Sequence, residues 1–507
     1  MSSYRGAVAA GHEHTADAAV SILEAGGNAF DAALAGLYAA CVAEPVLSSL
    51  GGGGFLLAHT ANGTHRLFDF FTQTPHQRLA VADQAFYPIL ADFGTTQQEF
   101  HIGLGAMAVP GMVHGLFAVH RALGRMPMPR IAEPAIALAR QGVVLNPLQA
   151  YLFSVVAPIY LATAEARRVY GSPQHLGLAR EGERIHQPEL ADTLEQLARE
   201  GADWFYHGEP GQQLAELSIS QGGHVRRLDL QAYQTLERTP LTGRYRDTTW
   251  FTNPPPSSGG LLIAFALELL ATQPFAPNSH GTPAAVMRLA ETMNQTNVAR
   301  QQHRPEALQQ AELIARYRRA IGQHPLFTRG TTHISVIDAA GNAAALSLSN
   351  GEGCGHLLPG TGIMLNNMLG EEDLNPQGFN RWATNTRVSS MMAPSIVQDR
   401  QRLIVTGSGG SNRLRTAILQ TLHHLLDHRL PVEQAVRAPR IHIENDVLHL
   451  EPGFSDNTQQ HLTTAYPTHH CWDSPNLFFG GTHTVVAEPH AICGAGDPRR
   501  GGVFRRC

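Results

Sequence analysis

Lysine is missing altogether: all 37 basic side chains of the 507-residue chain are arginine. This reads as a bias of coding more than of chemistry, but it excludes a lysine nucleophile or a lysine Schiff base. Cysteine is scarce. Cys41, Cys354, Cys471, Cys493 and Cys507 make an odd set of five with no CxxC pair. That excludes a disulfide framework or zinc ribbon and fits a reducing compartment. Charge is sparse too, at 16% of residues with a formal net charge of −5, so a nucleic-acid partner has no basic face to meet. No apolar run approaches the roughly 18 residues that span a bilayer. The opening MSSYRGAVAAGHEHTADA lacks the basic start and unbroken apolar stretch of a secretory signal. A soluble, cytoplasmic protein is the expectation. The 27 histidines include His12 and His14 around Glu13 and the pairs His423–His424 and His469–His470. None has the spacing that sets two ligands on one helix face, and no metal site is expected.

What is present suits a large core. Hydrophobic residues make up 43% of the chain, and the length allows two or three units or one large α/β body. Residues 14–43 show helical apolar spacing interrupted at Gly26–Gly27, which predicts two helices joined by a glycine turn. GGGGFLLAHT (51–60) passes from glycines into a strand, with THRLFDFF (64–71) as its hairpin partner. A helix-rich stretch covers about 111–220. NPPPSSGGLLIAFALELLA (253–271) is a proline-rich turn leading into an amphipathic helix. Residues 305–320 read as a polar helix and 323–330 as an exposed connector. The character then changes abruptly. TTHISVIDAAGNAAALSLSN (331–350) reads as two alternating strands around DAAGN, 395–408 as another hairpin, and 414–428 as a helix.

The chemistry concentrates where the sheet-forming segment begins, at Gly330-Thr331-Thr332-His333. A threonine hydroxyl needs a neighbouring base. If the chain is cut before Thr331, its own α-amino group becomes that base, with an ordinary pKa of about 7.7–8. Gly330, being small, leaves room for the hydroxyl to attack the preceding carbonyl. Taken alone, a Thr-Thr pair is also what β-propensity places at a strand start. GSGGS (407–411) sets paired glycines between a strand and a helix. There the N–H groups of Gly409 and Gly410 can converge on an oxyanion; a simple tight turn is the competing reading. GGGG (51–54) precedes a strand rather than a helix and makes a poor phosphate or dinucleotide loop.

Taken in order, these motifs resemble the γ-glutamyltransferase family over nearly the whole chain. EPVLSSLGGGGFLL (44–57), AVPGMVHG (108–115), ERTPLTGRYR (237–246) and NPPPSSGG (253–260) come first. TTHISVIDAAGNAAALS (331–347), TGIMLNN (361–367), SSMMAPSIV (389–397), VTGSGGS (405–411), AVRAPRIH (435–442) and GAGDPR (494–499) follow. The resemblance implies the four-layer αββα fold of N-terminal-nucleophile hydrolases. It implies self-cleavage between Gly330 and Thr331 into a large subunit, 1–330, and a small one, 331–507, which associate as a heterodimer. Thr331 is then the nucleophile. Ser349, eighteen positions on, takes the place of the hydroxyl that orients it, and Gly409 and Gly410 take the oxyanion hole. Ser389 and Ser390 match the serines that bind the donor's α-carboxylate. No cofactor is implied.

The departures gather on substrate recognition. Where typical members carry an arginine that forks onto the donor's α-carboxylate, DFFTQTP (69–75) offers Phe71. Arg387 and Arg413 are the nearest arginines in sequence that stand in for it. Gly351 occupies the place of a substrate-contacting asparagine, with Asn350 one position earlier. Met368 and Glu371 replace the residues that hold the donor's amino group, with Glu372 and Asp373 as alternates to Glu371. GEGCGHLLPGTG (351–362) reads as a mobile rim of the pocket, and Cys354 within it lacks the partner of a thiol nucleophile. Three functions follow. The first is a γ-glutamyltransferase-like enzyme acting through a threonine ester. The second is an amidohydrolase of the same family on another amide, cephalosporin-acylase-like or oxamate-hydrolase-like. The third is an uncut, inactive binding homologue.

Overall fold

The computed structural model describes residues 4–92, 97–301, 330–371, 375, 378–444 and 446–507. The helix expected over 305–320, the connector before Gly330 and the alternates Glu372 and Asp373 lie outside the described residues. Two antiparallel sheets form the centre. The first has seven strands in the order Val503–Arg506, Gly6–Ala10, Thr332–Asp338, Ala343–Ser349, Gly53–His59, His65–Phe70 and Leu236–Arg238. The second has six, in the order Ala491–Ala495, Thr484–Glu488, Leu403–Thr406, Ser395–Gln398, Thr248–Thr252 and Leu241–Tyr245.

Alternation along each strand sorts the core into layers. In the first sheet Val8, Ala10, Ile334, Val336, Leu346 and Leu348 face helices Glu13–Glu24, Ala29–Ala43 and Met112–Leu123. Ala7, Ala9, Phe55, Leu57 and Ile337 face the other way, onto Trp250, Ile396, Val405 and Val485 of the second sheet. Helices Ser258–Ala271 and Arg413–Leu426 close the far side. Helix, sheet, sheet, helix is the expected αββα sandwich. The strand Thr332–Asp338 lies between Gly6–Ala10 and Ala343–Ser349, so segments from both sides of the expected cut share one sheet.

The helix Ala29–Ala43 shows how the sequence holds this strand. Asn28 caps it, accepting from Phe30 N and Asp31 N at 2.9 Å each, while Asn28 N donates to Asp31 Oδ2 at 3.0 Å. Such a capping box contributes about 1 kcal/mol. Asp338, at the end of the strand Thr332–Asp338, accepts from Ala29 N at 2.9 Å, a carboxylate placed where the helix N-terminus favours one. All fifteen helix residues are buried, and Gly36 lets Ile334 pack directly on the helix backbone. The helix Ser258–Ala271 corrects one expectation. It is buried on nearly every side, so its sequence spells a core helix between sheet and neighbouring helices rather than an amphipathic one.

Candidate active site

Strand alternation separates the two threonines. Thr332 points to the helix side, beside Gly11 and the buried Glu44, whose carboxyl burial raises to about 6. Thr331, His333 and Ser335 face the second sheet. His333 is fully buried and bridges Ser347 Oγ (2.8 Å) and Ser335 Oγ (3.0 Å). Loss of hydration lowers its pKa well below the usual histidine value, so it is a neutral spacer under the site.

Thr331 is 4% exposed. Its neighbour Gly330 is held at two atoms. Ser349 Oγ donates to the Gly330 carbonyl at 2.7 Å, and Gly330 N donates to Glu352 Oε1 at 2.9 Å. Gly351 N in turn donates to Ser349 Oγ at 3.1 Å, which directs the serine proton onto the Gly330 carbonyl. A side chain on Gly330 would meet Gly351 O at 2.5 Å and Val46 O at 2.7 Å. Glycine is needed here for backbone approach.

The turn 407–411 crosses this strand from the second sheet. A Cβ on Gly407 would run into the His333 ring, and one on Gly409 into the Thr331 carbonyl oxygen. Gly410, at φ +117°, adopts a backbone that favours glycine. The helix Arg413–Leu426 begins three residues on, as an anion-binding turn requires. Behind the turn lies Arg500, with guanidinium nitrogens 3.1 Å from where a Cβ of Gly409 or Gly410 would stand. Burial and nearby Arg413 lower its pKa to about 10, well above neutrality, so it remains a cation. Gly407, Arg500 and Glu352 were not singled out by sequence reasoning. Only the alternation of glycines 407 and 409 on one face of the crossing segment signalled the first.

The glycine run 51–54 also finds its reason in backbone approach. A Cβ on Gly52 would collide with the Ser349 carbonyl, and one on Gly54 would meet the Ser347 carbonyl at 2.5 Å, while Gly53 pairs with Ser349. The run presses the Ser349 strand into place.

Thr331, Ser349, Gly409, Gly410, Glu371 and Asn350 are thus brought around one junction. Glu371 is 2% exposed and its Oε1 lies against Gly351. Asn350 is fully buried beside Gly52 and Gly353. No hydrogen bond among the described residues joins Ser389 or Ser390 to Thr331, Ser349 or the Gly409–Gly410 turn. The Ser390 hydroxyl accepts from Met392 N at 3.0 Å. Their segment runs beside 72–74, with Val388 N donating to Thr72 O at 3.0 Å, and Thr72 in turn lies against Gly53, the strand partner of Ser349.

The expected stand-in arginines are committed elsewhere. Phe71 is 1% exposed and stacks on Phe55 at 5.5 Å. Arg387 donates to Phe71 O, to Tyr233 Oη and Gln234 O at 2.6 Å each, and pairs with buried Asp69 at 3.4 Å. Arg413 donates to Phe478 O at 3.0 Å and stacks over that ring. The glycine-rich segment, expected as a mobile rim, is buried at its start and exposed at Pro359 and Gly360. Residues 351–355 are buried, and Leu357–Leu358 pairs with Ile363–Met364. Burial pushes the Cys354 thiol up to about 12, so almost no thiolate is present at neutral pH.

An αββα sandwich with a hydroxyl residue at a clamped glycine junction defines an amidohydrolase-type fold and site. The profile of the gamma-glutamyltranspeptidase family matches residues 15–506, and the chain belongs to that family of enzymes. It is 31% identical to a glutathione hydrolase proenzyme of Escherichia coli (strain K12), over 95% of this chain and 88% of that one. It is equally 31% identical to the Acylase ACY 1 proenzyme of Pseudomonas sp. (strain V22), over 96% and 90%. The fold superposes on a cephalosporin acylase from Bacillus halodurans with a TM-score of 0.84, at 24% identity, covering 100% of this chain and 96% of that one.

Proposed function

We propose that the chain is a self-processing, γ-glutamyltransferase-like amidohydrolase working through a Thr331 ester. In the precursor, Thr331 Oγ attacks the Gly330 carbonyl carbon, the C–N bond breaks, and the departing nitrogen takes the hydroxyl proton. Water opens the ester, leaving a Gly330 carboxylate, a free Thr331 hydroxyl and a free α-amine. The cut would leave 1–330 and 331–507 held together by their shared sheet. In turnover the amine accepts the Thr331 proton as the hydroxyl attacks a substrate amide and passes it to the leaving amine. Water or a second amine then takes the acyl group. The observation that carries this reading is the Ser349 hydroxyl donating to the carbonyl of the very peptide bond to be cut. The relatives named as proenzymes agree with it.

The test is denaturing electrophoresis of purified wild type beside Thr331→Ala, with N-terminal sequencing of the smaller fragment. Two fragments from the wild type, the smaller beginning at Thr331, and one from the variant are expected. A wild type that stays one chain overturns the proposal and favours an inactive binding homologue.

A second reading concerns the acyl group. Phe71 in the core and Arg387 bound to Asp69 supply no arginine for an α-carboxylate, which favours an amide other than γ-glutamyl. A reducing, cytoplasmic setting is proposed on the five cysteines, none of them paired.

A further inference from the structure

We propose that Arg500 is a positioning residue of the reaction: its buried guanidinium braces the Gly409–Gly410 turn from behind and sets a positive charge beside Thr331. This rests on Thr331 being the nucleophile and on the turn receiving the oxyanion, and it names the group that gives the turn its charge.

Glycines clear the room for this side chain. Its stem packs on Gly481, where a Cβ would stand 2.8 Å from the Cβ, Cγ and Cδ of Arg500. Gly481 is the register partner of Gly409. The head reaches both glycines of the turn. Nη1 lies 3.1 Å from where a Cβ of Gly409 would stand, and Nη2 3.1 Å from that of Gly410. The same point at Gly409 touches the carbonyl oxygen of Thr331. A cation and the nucleophile's own backbone therefore flank one glycine.

The surroundings do not compensate this cation as a purely structural role requires. Arg500 is 5% exposed. Its guanidinium donates to Leu477 O at a long 3.4 Å, and its Nε has no partner. Among the described residues no carboxylate pairs with it. Asp497, the carboxylate that acts on it, is engaged by Arg440 at 2.6 Å and by Arg499 at 3.3 Å. Arg413 and Arg440 add like charge. A buried ion so poorly paired is costly, and such groups gather where a reaction develops charge. Here that charge is the oxyanion in the turn, and a cation fixed behind the turn's N–H groups favours it without reorganising. The same cation disfavours protonation of the α-amine that self-cleavage frees on Thr331, and so keeps that base available.

The experiment measures kcat, KM and their pH profiles on acetyl, γ-L-glutamyl and glutaryl p-nitroanilides. It compares the self-cleaved wild type with the neutral variants Arg500→Met and Arg500→Gln and with Arg500→Lys. The other charged and titratable groups stay the same throughout: Asp497, Arg413, Arg440 and His483 around Arg500, and Glu352 and Glu44 on the Thr331 strand's other contacts. On whichever anilide the wild type turns over, both neutral variants should be cut and should lose at least about tenfold in kcat, with KM within about threefold. The acid limb of their profiles should move to higher pH by at least about 0.5 unit, because the amine has lost a nearby cation. Arg500→Lys restores the charge and should return the limb to its wild-type position. Two fragments and a cooperative melt report a folded, processed variant. Neutral variants that keep the wild-type kcat, or that keep the wild-type limb, overturn the inference and leave Thr331 standing. Failure of both to fold and be cut also overturns it, since the cation is then structural. A wild type that is never cut and is inert on all three anilides overturns the nucleophile as well.

Discussion

Removing the Ser349 hydroxyl isolates the contact on which self-cleavage is argued to depend. When Thr331 Oγ adds to the Gly330 carbonyl, that oxygen becomes an anion, and the 2.7 Å bond from Ser349 strengthens as charge develops. Ser349 is 4% exposed, so water does not replace the lost donor. Loss of one such donor typically costs about 2.7–4 kcal/mol of transition-state stabilisation, or about 10²–10³ in rate. Ser349→Ala should therefore slow cleavage by about two to three orders of magnitude. A smaller ground-state cost accompanies it, because Gly351 N loses its acceptor at 3.1 Å; an orphaned buried N–H costs about 1–3 kcal/mol. Ser349→Thr retains the hydroxyl and should recover most of the rate. The assay is a time course of precursor loss on denaturing gels after rapid purification, with melting curves to separate slow chemistry from poor folding. Folded Ser349→Ala precursor that is cut at the wild-type rate would refute the reasoning.

Other substitutions probe the backbone and the core. Gly330→Ala forces a Cβ to within 2.7 Å of two backbone oxygens; it should block cleavage even though the nucleophile is intact, read as a single band. Gly409→Ala pushes a methyl into the Thr331 carbonyl and should abolish turnover, measured on whichever anilide the wild type prefers. Phe71→Arg buries a guanidinium against Phe55 at a cost of several kcal/mol; loss of soluble protein is expected, and glutathione hydrolysis by a folded variant would contradict the placement. Acid should destabilise the fold. Burial lowers His12, His442 and His483 from 6.5 to about 4, so the stability they contribute is whole above pH 6.5 and lost as pH falls toward 4. Each loses about 2 kcal/mol by pH 5. Glu44, raised to about 6, acts oppositely, since its protonation below pH 6 relieves at most about 2 kcal/mol. The histidines outweigh it, and a melting temperature that stays flat or rises from pH 7 to 5 would refute the sum.

The parts of the fold that periodicity dictates were legible in the sequence. The two helices around Gly26–Gly27 run Glu13–Glu24 and Ala29–Ala43, and the hairpins 53–70, 332–349 and 395–406 pair as their alternation requires. The helix Ser258–Ala271 was misread because a helix buried on nearly all faces carries no polar stripe to report its setting. In the segment 351–362 glycine and proline signal irregular backbone, which is buried where its polar groups find partners, as Cys354 N does in Leu365 O at 2.8 Å, and exposed at Pro359 and Gly360.

The site divides along the same physical line. Thr331, Ser349, Gly409 and Gly410 were named through the ordered motifs of the family resemblance, and the structure brings them to one junction where backbones approach closely. Gly52, Gly54, Gly330 and Gly409 each face a backbone oxygen across a gap that no Cβ can enter, so the chemistry is written in residue types that tolerate no substitute. The long side chains near the junction come from separate segments, and nothing local in sequence says where their ends lie. Arg387 stands two residues before Ser389 yet spends its guanidinium on Asp69 and Tyr233, while Glu352, three residues beyond Ser349, reaches back to Gly330. A family's reaction can therefore be inferred from its glycines while its substrate cannot.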